Sequence, residues 1–123
     1  MPQDNKKFSE ELKGRIYNWI LRLIKFLGAL SKDDTLCRTV DNQLIRCGTS
    51  VGANYIEAIA GSSKKEFTNF LSYALKSANE SKFWLALLRD TNKGDKNEIN
   101  NLLRELIEIA NILASSIKTL REN

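Results

Sequence analysis

Apolar residues recur along this chain at alternating intervals of three and four, in four blocks separated by short polar segments. This is the pattern of amphipathic helices that each bury one face. The first block places Leu12, Ile16, Trp19, Ile20, Leu23, Leu27 and Leu30 on its inward stripe, and the second Val40, Leu44, Cys47, Val51, Tyr55 and Ala58. The third gives Phe67, Leu71, Ala74, Ala78, Ser81, Leu85 and Leu88, a heptad-like seam, and the fourth Ile99, Leu103, Leu106, Ala110, Leu113, Ile117 and Leu120. No segment shows the period of two that a half-buried strand requires. The punctuation agrees with this division. Ser9 is placed to cap the first helix, which leaves residues 1–8 as a frayed polar lead. Asp34 or Thr35 caps the second, Gly61 closes it, Ser63-x-x-Glu66 fits a capping box, and Asn92-Lys93-Gly94-Asp95 is a turn leading into Asp95-x-x-Glu98. The expected fold is all-α: a single domain over residues 1–123, arranged as an antiparallel up-down-up-down four-helix bundle.

Residues Arg46 to Glu57 carry more than a simple bundle needs. At about 100° per residue, Gly48 and Gly52 fall between the buried stripe of the second helix and a further apolar group, Ile45, Ile56 and Ile59. Glycine weakens a helix, so two of them one turn apart predict close helix packing, with another backbone against them. They do not form a phosphate-cradling loop, because no strand precedes them and no lysine stands in the required place. Arg46, Ser50, Asn54 and Glu57 share the remaining face, and Glu80 on the third helix is an attractive partner for Arg46, beside a row of Phe70, Ser77 and Trp84. Such a stripe is either a hydrogen-bonded network, within one bundle or between subunits, or a ligand site. Glu57 and Glu80 as an acid–base pair lack a nearby nucleophile. On the first helix Tyr17, Leu21 and Ile24 add apolar surface beyond one seam, which predicts contact with another copy of the chain.

Charge changes the picture more than composition does. The net charge is +4, and residues 1–65 hold eleven Lys/Arg against seven Asp/Glu while the remainder is balanced. Arg15, Arg22, Lys25 and Lys32 line the outer side of the first helix. That row reads as a solvated face, as an electrostatic footprint for nucleic acid, or as a membrane-surface helix. Tyr17 and Trp19 are too few to stack single-stranded bases, so any nucleic acid would be held mainly by its phosphates. The chain has no histidine, which removes most metal sites and general-base mechanisms and excludes the Glu-x-x-His pairs of di-iron bundles. No metal, cofactor or small-molecule substrate is expected. Cys37 and Cys47 lie about 15 Å apart along one helix, too far for a disulfide. Free thiols and the lack of a signal-peptide pattern predict a reducing cytoplasm. The longest apolar run, Trp19 to Leu30, is broken by Arg22 and Lys25 and does not span a membrane.

Arg46-Cys-Gly-Thr-Ser-Val-Gly-Ala-Asn-Tyr-Ile-Glu-Ala58, Ser62-Ser-Lys-Lys-Glu-Phe67, Leu75-Lys-Ser-Ala-Asn-Glu-Ser81 and Trp84-Leu-Ala-Leu-Leu-Arg-Asp-Thr91 resemble the bacterial four helix bundle protein family, also called the 23S rRNA intervening-sequence protein family. The likeness covers nearly the whole chain, with Ile112 to Leu120 similar to the closing segment; Cys47 stands where the family more often has serine. The resemblance implies a small up-and-down bundle that forms a homopentamer. Some members are encoded within insertions in rRNA genes, and distant relatives in diversity-generating retroelements bind nucleic acid. Arg46, Ser50, Asn54, Glu57, Glu80 and Trp84 occupy the family's characteristic positions. The expectation is a non-enzymatic oligomer that binds RNA or DNA through a repeated basic row; the alternative is a protein-interaction scaffold with no nucleic-acid ligand.

Overall fold

A computed structural model describes residues 3–122 and folds them into four helices, α1 (Gln3–Gly28), α2 (Thr35–Ile59), α3 (Lys64–Asp90) and α4 (Lys96–Glu122). Among the described residues there is no strand. Each helix lies against its neighbours in the cycle α1–α2–α3–α4–α1, and the diagonal pairs make no close backbone approach. The four apolar stripes therefore converge on one core.

Caps fix where the helices start. The Asp34 carboxylate accepts the Cys37 N–H at 2.9 Å, Ser63 Oγ accepts the Glu66 N–H at 3.0 Å, and Asp95 Oδ1 accepts the Asn97 N–H at 3.0 Å. Each satisfies a donor that the first turn would otherwise leave unpaired. At the start of α1 the structure departs from the sequence reading. The helix begins at Gln3 rather than near Ser9, so residues 3–8 are helical and only Met1 and Pro2 of the expected frayed lead lie outside the described residues. The physical reason is that Ser9 is tied to α2: its hydroxyl bonds the Tyr55 hydroxyl at 3.0 Å, and its carbonyl accepts from the same phenol at 3.1 Å. The helix has no reason to stop there. The end of α2 also differs: Ala60 is its C-cap, and Gly61 is not left-handed. A Cβ at Gly61 would lie 3.1 Å from the Ala58 carbonyl, so space, not backbone freedom, favours glycine there. The left-handed residues are Asn92 (φ 59°) and Gly94 (φ 77°) in the α3–α4 turn.

Nearly all stripe residues are buried, with Ile20, Phe67 and Leu120 half-buried at its margins. Phe26, Leu102 and Ile109 join the core from outside the predicted stripes. Gly48 and Gly52 do mark close packing, but the partner is not a backbone. A Cβ at Gly48 would strike the Leu23 side chain and lie 3.5 Å from the Trp19 ring; one at Gly52 would lie 2.7 Å from Ile20 Cδ1. Large side chains of α1 fill the two notches in α2. On the other flank of α2 the partner residues are small: Ala74, Ala78 and Ser81 of α3 are fully buried, and the Ser81 hydroxyl lies 2.8 Å from the Ser77 carbonyl and 3.2 Å from Cys47 Sγ. Both cysteines are free and buried. Burial pushes both thiols above their ordinary range.

Candidate nucleic-acid and assembly surfaces

The basic side of α1 faces the acidic side of α4. Arg15 donates from Nε and Nη2 to the Glu105 carboxylate at 3.0 and 2.6 Å, and Nη2 lies 3.3 Å from Glu108. The fork-to-carboxylate pairing raises the Arg15 pKa further. Arg22 Nη2 bonds Glu98 at 2.7 Å. Lys32, past the end of α1, bonds Asp41 at 2.7 Å and the Leu27 carbonyl at 3.0 Å. Lys25 alone of the four has no hydrogen-bond or ion-pair partner among the described residues. Arg15 and Arg22 border a cleft of about 560 Å³ between α1 and α4, also lined by Asn18, Trp19, Asn101 and Arg104. Among the described residues Arg104 is held only by the Asn101 side-chain oxygen, at 3.0 Å. At the floor, Trp19 Nε1 donates to the Leu102 carbonyl at 2.9 Å.

The polar stripe of α2 divides in two. Arg46 pairs with Glu80 and bonds Gln43 at 2.9 Å, and the same Glu80 oxygen accepts from Trp84 Nε1 at 3.2 Å, so Arg46, Glu80 and Trp84 form one chain across the α2–α3 seam. Ser50 and Asn54 bond back to their own helix, to the carbonyls of Arg46 (2.8 Å) and Ser50 (2.9 Å). Glu57 is exposed and has no such partner among the described residues. The Glu80 carboxylate is thus engaged by Arg46 and Trp84 rather than poised opposite Glu57. Among the described residues no group of three His, Cys, Asp or Glu side chains is arranged to hold a metal ion.

The apolar surplus lies where the spacing put it, except that Ile59 is half-buried against the core. Tyr17, Leu21 and Ile24 of α1 are 62, 49 and 45% exposed, and Ile45 and Ile56 of α2 are 39 and 43% exposed. Between the two helices runs a groove of about 590 Å³ bordered by Tyr17, Ile20 and Ile56, with Gly14, Gly52 and Ala53 leaving it open. A second, unlike surface lies on α3. Phe70 and Tyr73 meet edge to face with centroids 5.7 Å apart, Phe83 and Trp84 at 5.0 Å, and Tyr73 and Phe83 are about half exposed.

A sequence profile described as 23S rRNA-intervening sequence protein matches residues 15–115. The chain belongs to that family. It is also similar, at 30% identity and a TM-score of 0.79, to a crystal structure of a protein with unknown function from the S23 ribosomal protein family of Bacteroides thetaiotaomicron; the match covers 89% of this chain and 97% of that one. No curated protein matches. In this chain the sequence reading named the Arg46–Glu80 pair but missed Arg104 and the Tyr73 and Phe83 surface. Tyr73 and Phe83 stand off the buried α3 stripe, which is the signal that could have found them. Nothing local reveals Arg104, because its place beside Arg15 and Arg22 depends on how α4 meets α1. No described helix is long and apolar enough to cross a membrane.

Proposed function

We propose that this family member is a non-enzymatic four-helix bundle, its helices alternating up and down, that assembles with copies of itself in the cytoplasm and holds RNA weakly at repeated basic surfaces. The observation that carries assembly is the α1–α2 face: five half-exposed apolar side chains, of which Tyr17 and Ile56 border a groove between the two helices. Single exposed apolar residues are ordinary, whereas a contiguous set beside a groove marks an interface. The α3 aromatics are unlike that groove, which favours a head-to-tail contact that closes into a ring. A homopentamer, implied by the resemblance, fits such a ring. RNA as the ligand is supported by the net charge of +4 and by the tie to rRNA in the family's name. With three of the four row cations already paired, each subunit's hold on phosphate is weak, and repetition around a ring supplies the avidity.

Light scattering tests assembly. The wild type is expected as an oligomer at micromolar concentration, and Tyr17→Glu combined with Ile24→Glu is expected to lower its mass; a monomeric wild type overturns the reading. Nuclease-treated oligomer is expected to bind structured RNA with an affinity that falls steeply with salt. Assembly without RNA binding even at low salt leaves the protein-interaction scaffold.

A further inference from the structure

Arg104 comes from α4, about 80 residues after Arg22, yet it lines the same α1–α4 cleft as Arg15 and Arg22. We propose that this cleft is a phosphate site, built by Arg15, Arg22 and Arg104 for the sugar-phosphate backbone of RNA; the proposal rests on the RNA-binding reading above and gives it a location.

Each of the three guanidiniums is tethered by one edge and keeps donors on the other. Arg15 is held through Nε and Nη2, leaving Nη1. Arg22 is held through Nη2, leaving Nε and Nη1. Arg104 is held through Nη1, leaving Nε and Nη2. Glu105 and Glu98 therefore act as positioning groups: they fix the forks, which lowers the conformational cost of presenting them to a ligand. Arg104 keeps a whole Nε–Nη2 fork, which matches a pair of phosphate oxygens, while Arg15 and Arg22 offer single donors, and the Asn18 side chain, with no hydrogen bond among the described residues, adds an amide donor at the cleft wall. The lining itself, three arginines against Glu105 and Glu108, is positive by one, and Glu98, which holds Arg22 from outside the lining, offsets that charge. A single cleft is thus a weak site whose affinity grows with the number of clefts engaged. The floor reads nothing of the bases: Trp19 is 2% exposed and its N–H is engaged by Leu102, so no ring is offered for stacking. Backbone contact without base readout predicts indifference to sequence. Lys25, although unpaired and on the same helix, does not line the cleft.

That separation gives the test. Affinity of the full-length protein for structured RNA is measured across a salt series for wild type, Arg104→Gln, Arg104→Lys and Lys25→Gln, each checked for mass and melting temperature. Arg104 is exposed and among the described residues bonds only Asn101, so its replacement leaves the fold intact. The cleft predicts that Arg104→Gln lowers the slope of log affinity against log salt by about one per engaged subunit, that Arg104→Lys recovers part of the loss, and that Lys25→Gln lowers slope and affinity less than Arg104→Gln does. Salt-dependent RNA binding that Arg104→Gln leaves unchanged, or that Lys25→Gln weakens equally, overturns the cleft while the RNA reading stands. No RNA binding at low salt overturns the RNA reading itself. Tripolyphosphate added in parallel, followed through Trp19 fluorescence in a Trp84→Phe background, identifies the source: an Arg104-dependent change without RNA binding assigns the cleft to a free polyphosphate.

Discussion

The α2–α3 seam closes on alanine, serine and cysteine, whereas the α1–α4 seam is spanned by arginine and glutamate. Along the first, Ala74, Ala78 and Ser81 let two backbones run close, and Cys47 fits against Ser81 with no space between. Along the second the helices approach far more sparsely, and a cleft of about 560 Å³ opens beside the bridging side chains. Small residues favour tight, dry contact through many weak dispersion terms. Partly exposed ion pairs fix orientation but contribute little stability, because water competes for the same charges. Close backbone packing therefore concentrates on one flank of the bundle, and room for a ligand on the other.

Four variants break or sharpen that contrast. The largest loss is expected from Trp19→Ala, since this ring packs on Gly48 of α2 and bonds Leu102 of α4, and so holds α1 to both neighbours. Its removal should cost about 3–5 kcal/mol by urea denaturation at fixed protein concentration; a loss below about 1 kcal/mol would mean that α1 is secured elsewhere. Ala78→Leu forces a large side chain into the tight seam and should cost about 1–3 kcal/mol. If it is neutral, the seam is not close-packed. Arg15→Gln with Arg22→Gln should cost no more than about 1 kcal/mol per pair lost, and a larger cost would make the α1–α4 ion pairs themselves stability determinants.

The smallest effect concerns pH. Lys93 bonds Asp34 at 2.6 Å, joining the α1–α2 connection to the α3–α4 turn, and this bond with the Cys37 N–H lowers the Asp34 pKa from 3.8 to about 2. A carboxylate whose folded pKa is depressed stabilises the fold above its unfolded value. That contribution is lost as pH falls from about 4 to about 2. Melting temperatures over this range should therefore drop less for Asp34→Asn than for wild type; parallel curves would show that the pair does not contribute.

The sequence was most legible where one stripe meets one seam. On α3, Leu71, Ala74, Ala78, Ser81, Leu85 and Leu88 were read from spacing and all are buried, because their neighbours lie within the bundle at fixed helical periods. Residues whose fate depends on another element were not legible. Phe26 lies off its stripe and is buried under the α3–α4 turn, where a Cβ on Gly94 would meet its ring at 3.0 Å. Ser9 has the chemistry of a cap, but its hydroxyl is engaged by Tyr55, 46 residues away. The candidate site shows the same limit. Arg15 and Arg22 were visible as a basic row, but not the carboxylates that hold them, which lie on α4.

The two buried thiols offer a clock. Cys37 sits near the start of α2 behind Asp34, and Cys47 a further ten residues along, beneath Ser81. Neither is accessible in the closed bundle, and burial disfavours the thiolate that an alkylating reagent attacks. Each therefore reacts only when its own part of the molecule opens. Their separate labelling rates, read by peptide mass, time the breathing of the turn end and of the α2–α3 seam within one native molecule, with no probe added to the chain.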